Sequence, residues 1–132
     1  MKATTILHFS DKARVFIVED SAERIRWFTE KLGDRIVGCY KDTEQAKQAL
    51  HHLDPFSLDA VFLDHDLGFE QNCYTSVPVA KWLSDRTRVD PTWARRVIIH
   101  SYNESGSKRL QSLLPGSAII RFGAFDIQVE KA

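Results

Sequence analysis

Cysteine is scarce in this chain. Only Cys39 and Cys73 occur in 132 residues, with neither C-x-x-C spacing nor a histidine close by, so the signature of a zinc site or a redox pair is missing. A disulfide between them stays open, but a reduced, cytoplasmic chain is the simpler reading. Cys39 lies in an apolar run and reads as a buried filler. No run approaches the ~20 apolar residues of a membrane helix. Residues 1–10 carry one lysine and too short an apolar patch for a secretory signal.

An excess of charge is also lacking. Lys plus Arg and Asp plus Glu number 18 each, for a formal net charge of zero. No global field draws nucleic acid or an anionic membrane to the chain. The local cluster Arg86, Arg88, Arg95 and Arg96 is read as the solvated side of a helix and loop. Internal repeats, low-complexity segments and linkers are absent too. What remains is ordinary for a globular protein, with 43% hydrophobic and 27% charged residues. The length suits one domain, residues 1–132, with its core at about 14–122.

Apolar runs alternate with amphipathic stretches, which predicts repeated βα units and a parallel sheet. The run Val15-Phe16-Ile17-Val18 is continuous rather than alternating, as in a strand covered on both faces. Asp20 and Glu23 have capping-box spacing, and a helix follows with Ile25, Phe28 and Leu32 on one stripe, ended by Gly33. Residues 35–40 predict a second strand, and Asp42 or Thr43 caps a second helix reaching Leu53. Residues 58–63 predict a third strand, and Pro78 opens a third helix. Residues 96–100 predict a fourth strand, 107–114 a short helix and 117–122 a fifth strand. The tail alternates weakly at Phe125, Ile127 and Val129, which favours a strand over a final helix. Residues 3–9 are left as an extra strand or a loose arm. The expected fold is therefore α/β, a flavodoxin-like three-layer sandwich with about five parallel strands.

In open α/β sheets, ligands bind outside the carboxyl ends of the strands. Three predicted strands end in polar residues: Glu19-Asp20, Asp64-His65-Asp66 and His100-Ser101. In flavodoxin-like order these strands are neighbours, and their ends meet. Crowded carboxylates raise one another's pKa, and a hard divalent cation relieves that repulsion. Mg²⁺ takes oxygen ligands, often one or two carboxylates plus phosphate oxygens. His65 and His100 could act as acid or base near neutral pH, or with Asp66 hold a transition metal. Against this, Asp and Ser after a strand are common turn formers and caps, and a histidine there can simply pack. Trp27, Phe28, Trp82 and Trp93 have the spacing of core packing rather than of base stacking, and Tyr74 and Tyr102 are the better candidates to cover a ligand.

The segments 15–21 (VFIVEDS), 58–68 (LDAVFLDHDLG) and 97–101 (VIIHS) resemble response-regulator receiver domains. The strings His65-Asp66-Leu67-Gly68 and His100-Ser101-Tyr102-Asn103 are more similar to a divergent branch, the cyclic-phosphate-processing receiver-like domains. The resemblance implies that Asp64 matches the phosphoacceptor, that Glu19 and Asp20 match the pair holding Mg²⁺ (Mn²⁺ being an alternative), and that Ser101 matches the hydroxyl touching the phosphoryl group. Asn103 and Arg121 are carried as further ligand contacts. The chain departs from ordinary receivers after the fifth strand. Arg121-Phe122-Gly123 stands where they carry Lys-Pro, and Arg is not Lys. Three functions follow as expectations for a stand-alone domain. The first is a metal-dependent site acting on cyclic or other phosphate esters, with Asp64, His65, His100 and Ser101 in the chemistry. The second is a switch phosphorylated on Asp64 by a phosphodonor. The third is a degenerate receiver that only binds a protein partner.

Overall fold

The computed structural model describes residues 4–53, 57–67 and 74–131, except for the side chain of Tyr74. The continuous apolar run becomes the strand Val15–Val18, buried at every position. Its side chains alternate between two cores. Phe16 and Val18 face one, and Val15 and Ile17 face the other, as the twofold period of a strand demands. Here the strands are labelled β1 (Thr5–Phe9), β2 (Val15–Val18), β3 (Ile36–Tyr40), β4 (Leu58–Leu63), β5 (Asp66–Leu67), β6 (Tyr74–Thr75), β7 (Ala94–Ile99), β8 (Ala118–Ile119) and β9 (Phe125–Val129). The helices are α1 (Ala22–Leu32), α2 (Thr43–Leu53), α3 (Val77–Val89) and α4 (Glu104–Leu113).

The main sheet has five strands in the order β3-β2-β4-β7-β8, and every neighbouring pair is parallel. The chain leaves β2 toward β3 on one side, then returns to place β4 on the other. That reversal opens a crevice at the carboxyl ends of β2 and β4. Ala46 and Leu50 of α2, Val79, Ala80 and Leu83 of α3, and Leu110 of α4 cover one face. Phe28 and Leu32 of α1 cover part of the other, against Ile17, Phe62 and Ile98. This is the three-layer α/β architecture expected.

The rest of that second face is closed by strands, not by a final helix. β1 and β9 pair in parallel as a separate two-stranded ribbon, Thr5 opposite Phe125 through Phe9 opposite Val129. Leu7, Phe9, Phe125 and Ile127 point into the core beside Phe28 and Phe62. The two ends of the described chain thus make one element. Sequence patterning left residues 3–9 open because five residues of weak alternation say little until their partner is known. Arg96 ties the ribbon to β7: its Nη2 donates to the His8 carbonyl (2.8 Å), and its guanidinium lies 4.3 Å from the Phe9 ring centroid. One member of the basic cluster is therefore an anchor.

Several boundaries differ from the sequence expectation. The cap of α1 is Ser21, whose hydroxyl accepts from the Arg24 amide, so the Asp20–Glu23 capping box is not formed. Gly33 ends α1 at φ 54°, a left-handed conformation that glycine adopts without strain. For α2, Asp42 Oδ1 accepts from the amides of Glu44 (2.8 Å) and Gln45 (3.0 Å). α4 begins at Glu104, not Ser107, because Asn103 caps it by accepting from the Gly106 amide (2.9 Å). β8 is only two residues long, although its ladder continues irregularly from the Phe122 amide to the His100 carbonyl (3.0 Å). Cys39 is half-buried rather than buried. The predicted Asp54-Pro55 stop, Gly68 and Cys73 lie outside the described residues. Trp93 is a core residue, edge-on to Trp82 at 5.3 Å. No described helix is long and apolar enough to cross a membrane.

Candidate metal and phosphate site

Glu19 leaves the end of β2 with its side chain fully buried. A buried carboxylate persists only if its oxygens are satisfied, and this one has four donors. Oε2 accepts from the backbone amides of Asp20 (3.0 Å) and Ser21 (3.1 Å). Oε1 accepts from His100 Nε2 (2.8 Å) and Arg24 Nη1 (3.4 Å). Burial alone would raise its pKa. The His100 hydrogen bond, the Ser21 amide and Arg24 outweigh burial and hold the carboxyl at about 2.

His100 is likewise fully buried, among the rings of Phe28, Phe62 and Phe122. Burial pushes its pKa down against the pull of Glu19. Because Glu19 is held as an anion, the Nε2 that faces it at 2.8 Å is the donor of the pair. Among the described residues Nδ1 has no partner.

Asp64 follows β4 and is 6% exposed. Its Oδ1 accepts from the His65 amide (3.0 Å), and its Oδ2 stands 3.8 Å from Arg24 Nη1. Burial, then the negative charge of Glu19, push its pKa up to about 7, and Ser101 and Arg24 pull the other way. Two acidic groups in one pocket thus have opposite dispositions, Glu19 fixed as an anion and Asp64 poised to gain or lose a proton near neutrality.

Oxygens of Glu19, Asp20 and Asp64 lie within 4.8 Å of one another. An all-carboxylate oxygen set of this spacing suits a hard cation such as Mg²⁺ or Mn²⁺. Of these three, Glu19 is the most committed, with two amides and His100 on its oxygens and Arg24 further off, while Asp64 Oδ2 meets Arg24 Nη1 only at 3.8 Å. The set fits a divalent ion, with the half-buried Asp20 and the buried Asp64 as its less committed ligands. The acids open onto a cavity of about 350 Å³, also lined by Ser21, Arg24, Asp66, Ser101, Tyr102 and Asn103.

The third wall comes from the turn after β7. Ser101 Oγ accepts from the Asn103 amide (3.0 Å). Asn103 Nδ2 donates to both oxygens of Asp66 (3.2 and 3.3 Å). His65 Nδ1 lies 2.7 Å from Asp66 Oδ1. The His65 ring packs on the bare α-carbon of Gly106, where an added Cβ would fall 2.5 Å from ring atoms. Only glycine admits the ring at that turn of α4.

The structure therefore brings Glu19, Asp20, Asp64, Ser101 and Asn103 together as expected. It sets the two histidines behind the pocket: His65 and His100 do not line it, and each meets it through a carboxylate, Asp66 and Glu19 respectively. Arg121 is exposed on the chain after β8 and lies outside the lining. Tyr102 lines the pocket as a cover should, 54% exposed, its hydroxyl donating to the Phe122 carbonyl (2.7 Å). The side chain of Tyr74, the other expected cover, lies outside the described part. Sequence reasoning missed Arg24. Its signal was a cation in the first turn of a helix, where the dipole disfavours one. A larger groove of about 560 Å³ lies at the opposite end of the sheet, between the ends of α3 and α4. Among the described residues its lining holds Arg88 and Arg95 but no acid or histidine.

Comparison with known proteins gives a family but no individual relative. No curated protein and no solved structure matches the chain. The family model described as cyclic-phosphate processing receiver domain matches residues 14–116, from the residue before β2 to the turn before β8. The acidic pair, the His-Asp-Leu-Gly string and the His-Ser turn all fall inside that match. On this extent of agreement the chain belongs to the cyclic-phosphate processing receiver domain family.

Proposed function

We propose that the pocket binds Mg²⁺ or Mn²⁺ and hydrolyses a phosphate ester, with a cyclic phosphate as substrate class. The observation that carries this is the juxtaposition of three carboxylates within 4.8 Å with the Ser101 hydroxyl around one cavity. Asp20 and Asp64 would hold the ion, with Glu19 behind them as the anchor of the loop. When bound, the ion would supply positive charge to a phosphoryl oxygen and to developing charge on it. Ser101 offers a hydroxyl to a phosphoryl oxygen. Opening a cyclic phosphate adds water to phosphorus and breaks one ring P–O bond. The water's proton passes to the departing alkoxide, leaving a monoester. Asp66 would relay that proton; in support, it lines the pocket, accepts from Asn103 Nδ2 and meets His65 Nδ1. His100 acts at one remove, by keeping Glu19 in place.

The partner we assign is a phosphate-containing small molecule, and the setting is the cytoplasm. A second reading has Asp64 itself as phosphoacceptor, and its support is that Asp64 lines the pocket beside Ser101. The test is turnover of a 2′,3′-cyclic phosphate and of an aryl phosphodiester in Mg²⁺ and in Mn²⁺. Wild type should open the cyclic phosphate and cleave the aryl diester with release of the phenol, and Asp64→Asn should lose about two decades of rate or more. Unchanged turnover in the variant contradicts the proposal. A phosphoryl mass increment on Asp64 from a small phosphodonor, without turnover, would favour the switch.

A further inference from the structure

We propose that Arg24 is the phosphoryl-binding cation of this pocket, delivered by the first turn of α1 rather than by the chain after the fifth strand. The inference rests on the phosphate reading above and names the residue that makes an anion welcome there. Among the described residues four carboxylates, those of Glu19, Asp20, Asp64 and Asp66, line the cavity. Arg24 is the one cation in its lining among the described residues. A phosphoryl group approaching four acids is repelled unless positive charge meets it. The strand-five side supplies none, since Arg121 is exposed outside the lining and the chain turns away at Gly123, φ 94°, into β9.

Arg24 is not consumed by the acids beside it. Its Nη1 stands 3.4 Å from Glu19 Oε1 and 3.8 Å from Asp64 Oδ2. Tight charge-assisted bonds are about 2.7–2.9 Å, so both approaches are loose. Among the described residues only Nη1 makes them, although a guanidinium carries five N–H donors. Its position is nonetheless defined. The guanidinium lies 4.6 Å from the Tyr102 ring centroid and 5.2 Å from that of Phe122. Tyr102 is pinned by its bond to the Phe122 carbonyl. Aromatic stacking is a way arginine, unlike lysine, is held by its face with its N–H edge left to bind. The side chain is 20% exposed, within reach of a ligand in the cavity. A planar fork of donors matches phosphate oxygens bidentately.

A structural arginine and a phosphate-binding arginine make different demands on one variant. If Arg24 only braced the acids, its loss would disturb metal and phosphate alike. If it binds phosphate, its loss weakens phosphate but removes a competing charge from beside Asp64, so a metal binds as well or better. The experiment titrates wild type, Arg24→Gln and Arg24→Lys with Mg²⁺ alone, then with inorganic phosphate at saturating Mg²⁺ and without it. Calorimetry and ³¹P line broadening give the readouts. The expected result for Arg24→Gln is phosphate affinity down at least tenfold with Mg²⁺ affinity equal or higher. Arg24→Lys, which keeps the charge but loses the fork, should fall between, and serves if the Gln variant does not fold. Phosphate affinity unchanged in both variants overturns the assignment to Arg24 and leaves the metal site standing. Phosphate bound without Mg²⁺ and lost in Arg24→Gln supports Arg24 even if the metal reading fails. Wild type that binds phosphate under neither condition overturns both.

Discussion

Glu19→Ala is expected to lower unfolding stability by about 3–5 kcal/mol, the range for breaking a buried, fully bonded charge. The loss has three parts. The amides of Asp20 and Ser21 lose their acceptor, the buried His100 Nε2–H loses its only partner among the described residues, and a void opens at the end of β2. Each orphaned buried group costs about 1–3 kcal/mol. Against a usual total of roughly 5–15 kcal/mol, a loss of that size threatens the fold. Glu19→Gln should cost less. Its carbonyl can keep the two amides, and its NH₂ can face His100 if the ring moves its proton to Nδ1, itself then unpaired. Urea midpoints of the two variants check this. A Glu19→Ala protein within about 1 kcal/mol of wild type would mean that the carboxylate is not the anchor of the loop.

Asp64→Asn is expected to do the opposite and raise stability above neutral pH. The folded-state pKa of Asp64 is about 7, against an ordinary 3.8. Between those values the folded chain binds the proton that the unfolded chain has lost, so stability falls as pH rises through that window. At 1.36 kcal/mol per pKa unit the full effect is at most about 4 kcal/mol, and relaxation leaves a gain on the order of 2 kcal/mol for asparagine at pH 8. At pH 4 the two proteins should be alike at this position. Glu19 has the reverse sign. Its folded pKa of about 2 lies below the ordinary 4.5, so its contribution is present above about pH 4.5 and is lost as pH falls toward 2. Thermal melts of wild type and Asp64→Asn from pH 4 to pH 8, without divalent ions, check the first sign. A variant less stable than wild type at pH 8 would show that Asp64 is a structural group, not a strained one.

The α/β fold with its parallel sheet was legible, and acids at strand ends marked the candidate site, because both rest on local facts. A continuous run such as Val15–Val18 has to be covered on both faces, and the acids after it then have to stand at its end. The two strings after β4 and β7 added the family. Pairwise facts were less legible. Nothing local in residues 5–9 says that they pair with 125–129, because that contact spans almost the whole chain. His65 and His100 read as pocket residues from strand position alone. Their burial depends on which neighbours fill the space, the Phe28, Phe62 and Phe122 rings around one and bare Gly106 beneath the other. Arg24 was hidden for a similar reason. A basic residue on a surface helix is ordinarily solvated, and only the positions of Tyr102 and Phe122 turn it toward the acids.

The most direct test of the central claim is a Mn²⁺ titration followed by paramagnetic broadening of backbone amide signals, in wild type and in Asp64→Asn at pH 8. One ion per chain is expected, broadening the amides of residues 19–21, 64–66 and 101–103, displaced by Mg²⁺ and lost in the variant. Wild type without localised broadening, or a variant that binds as wild type does, would contradict a metal site at these carboxylates.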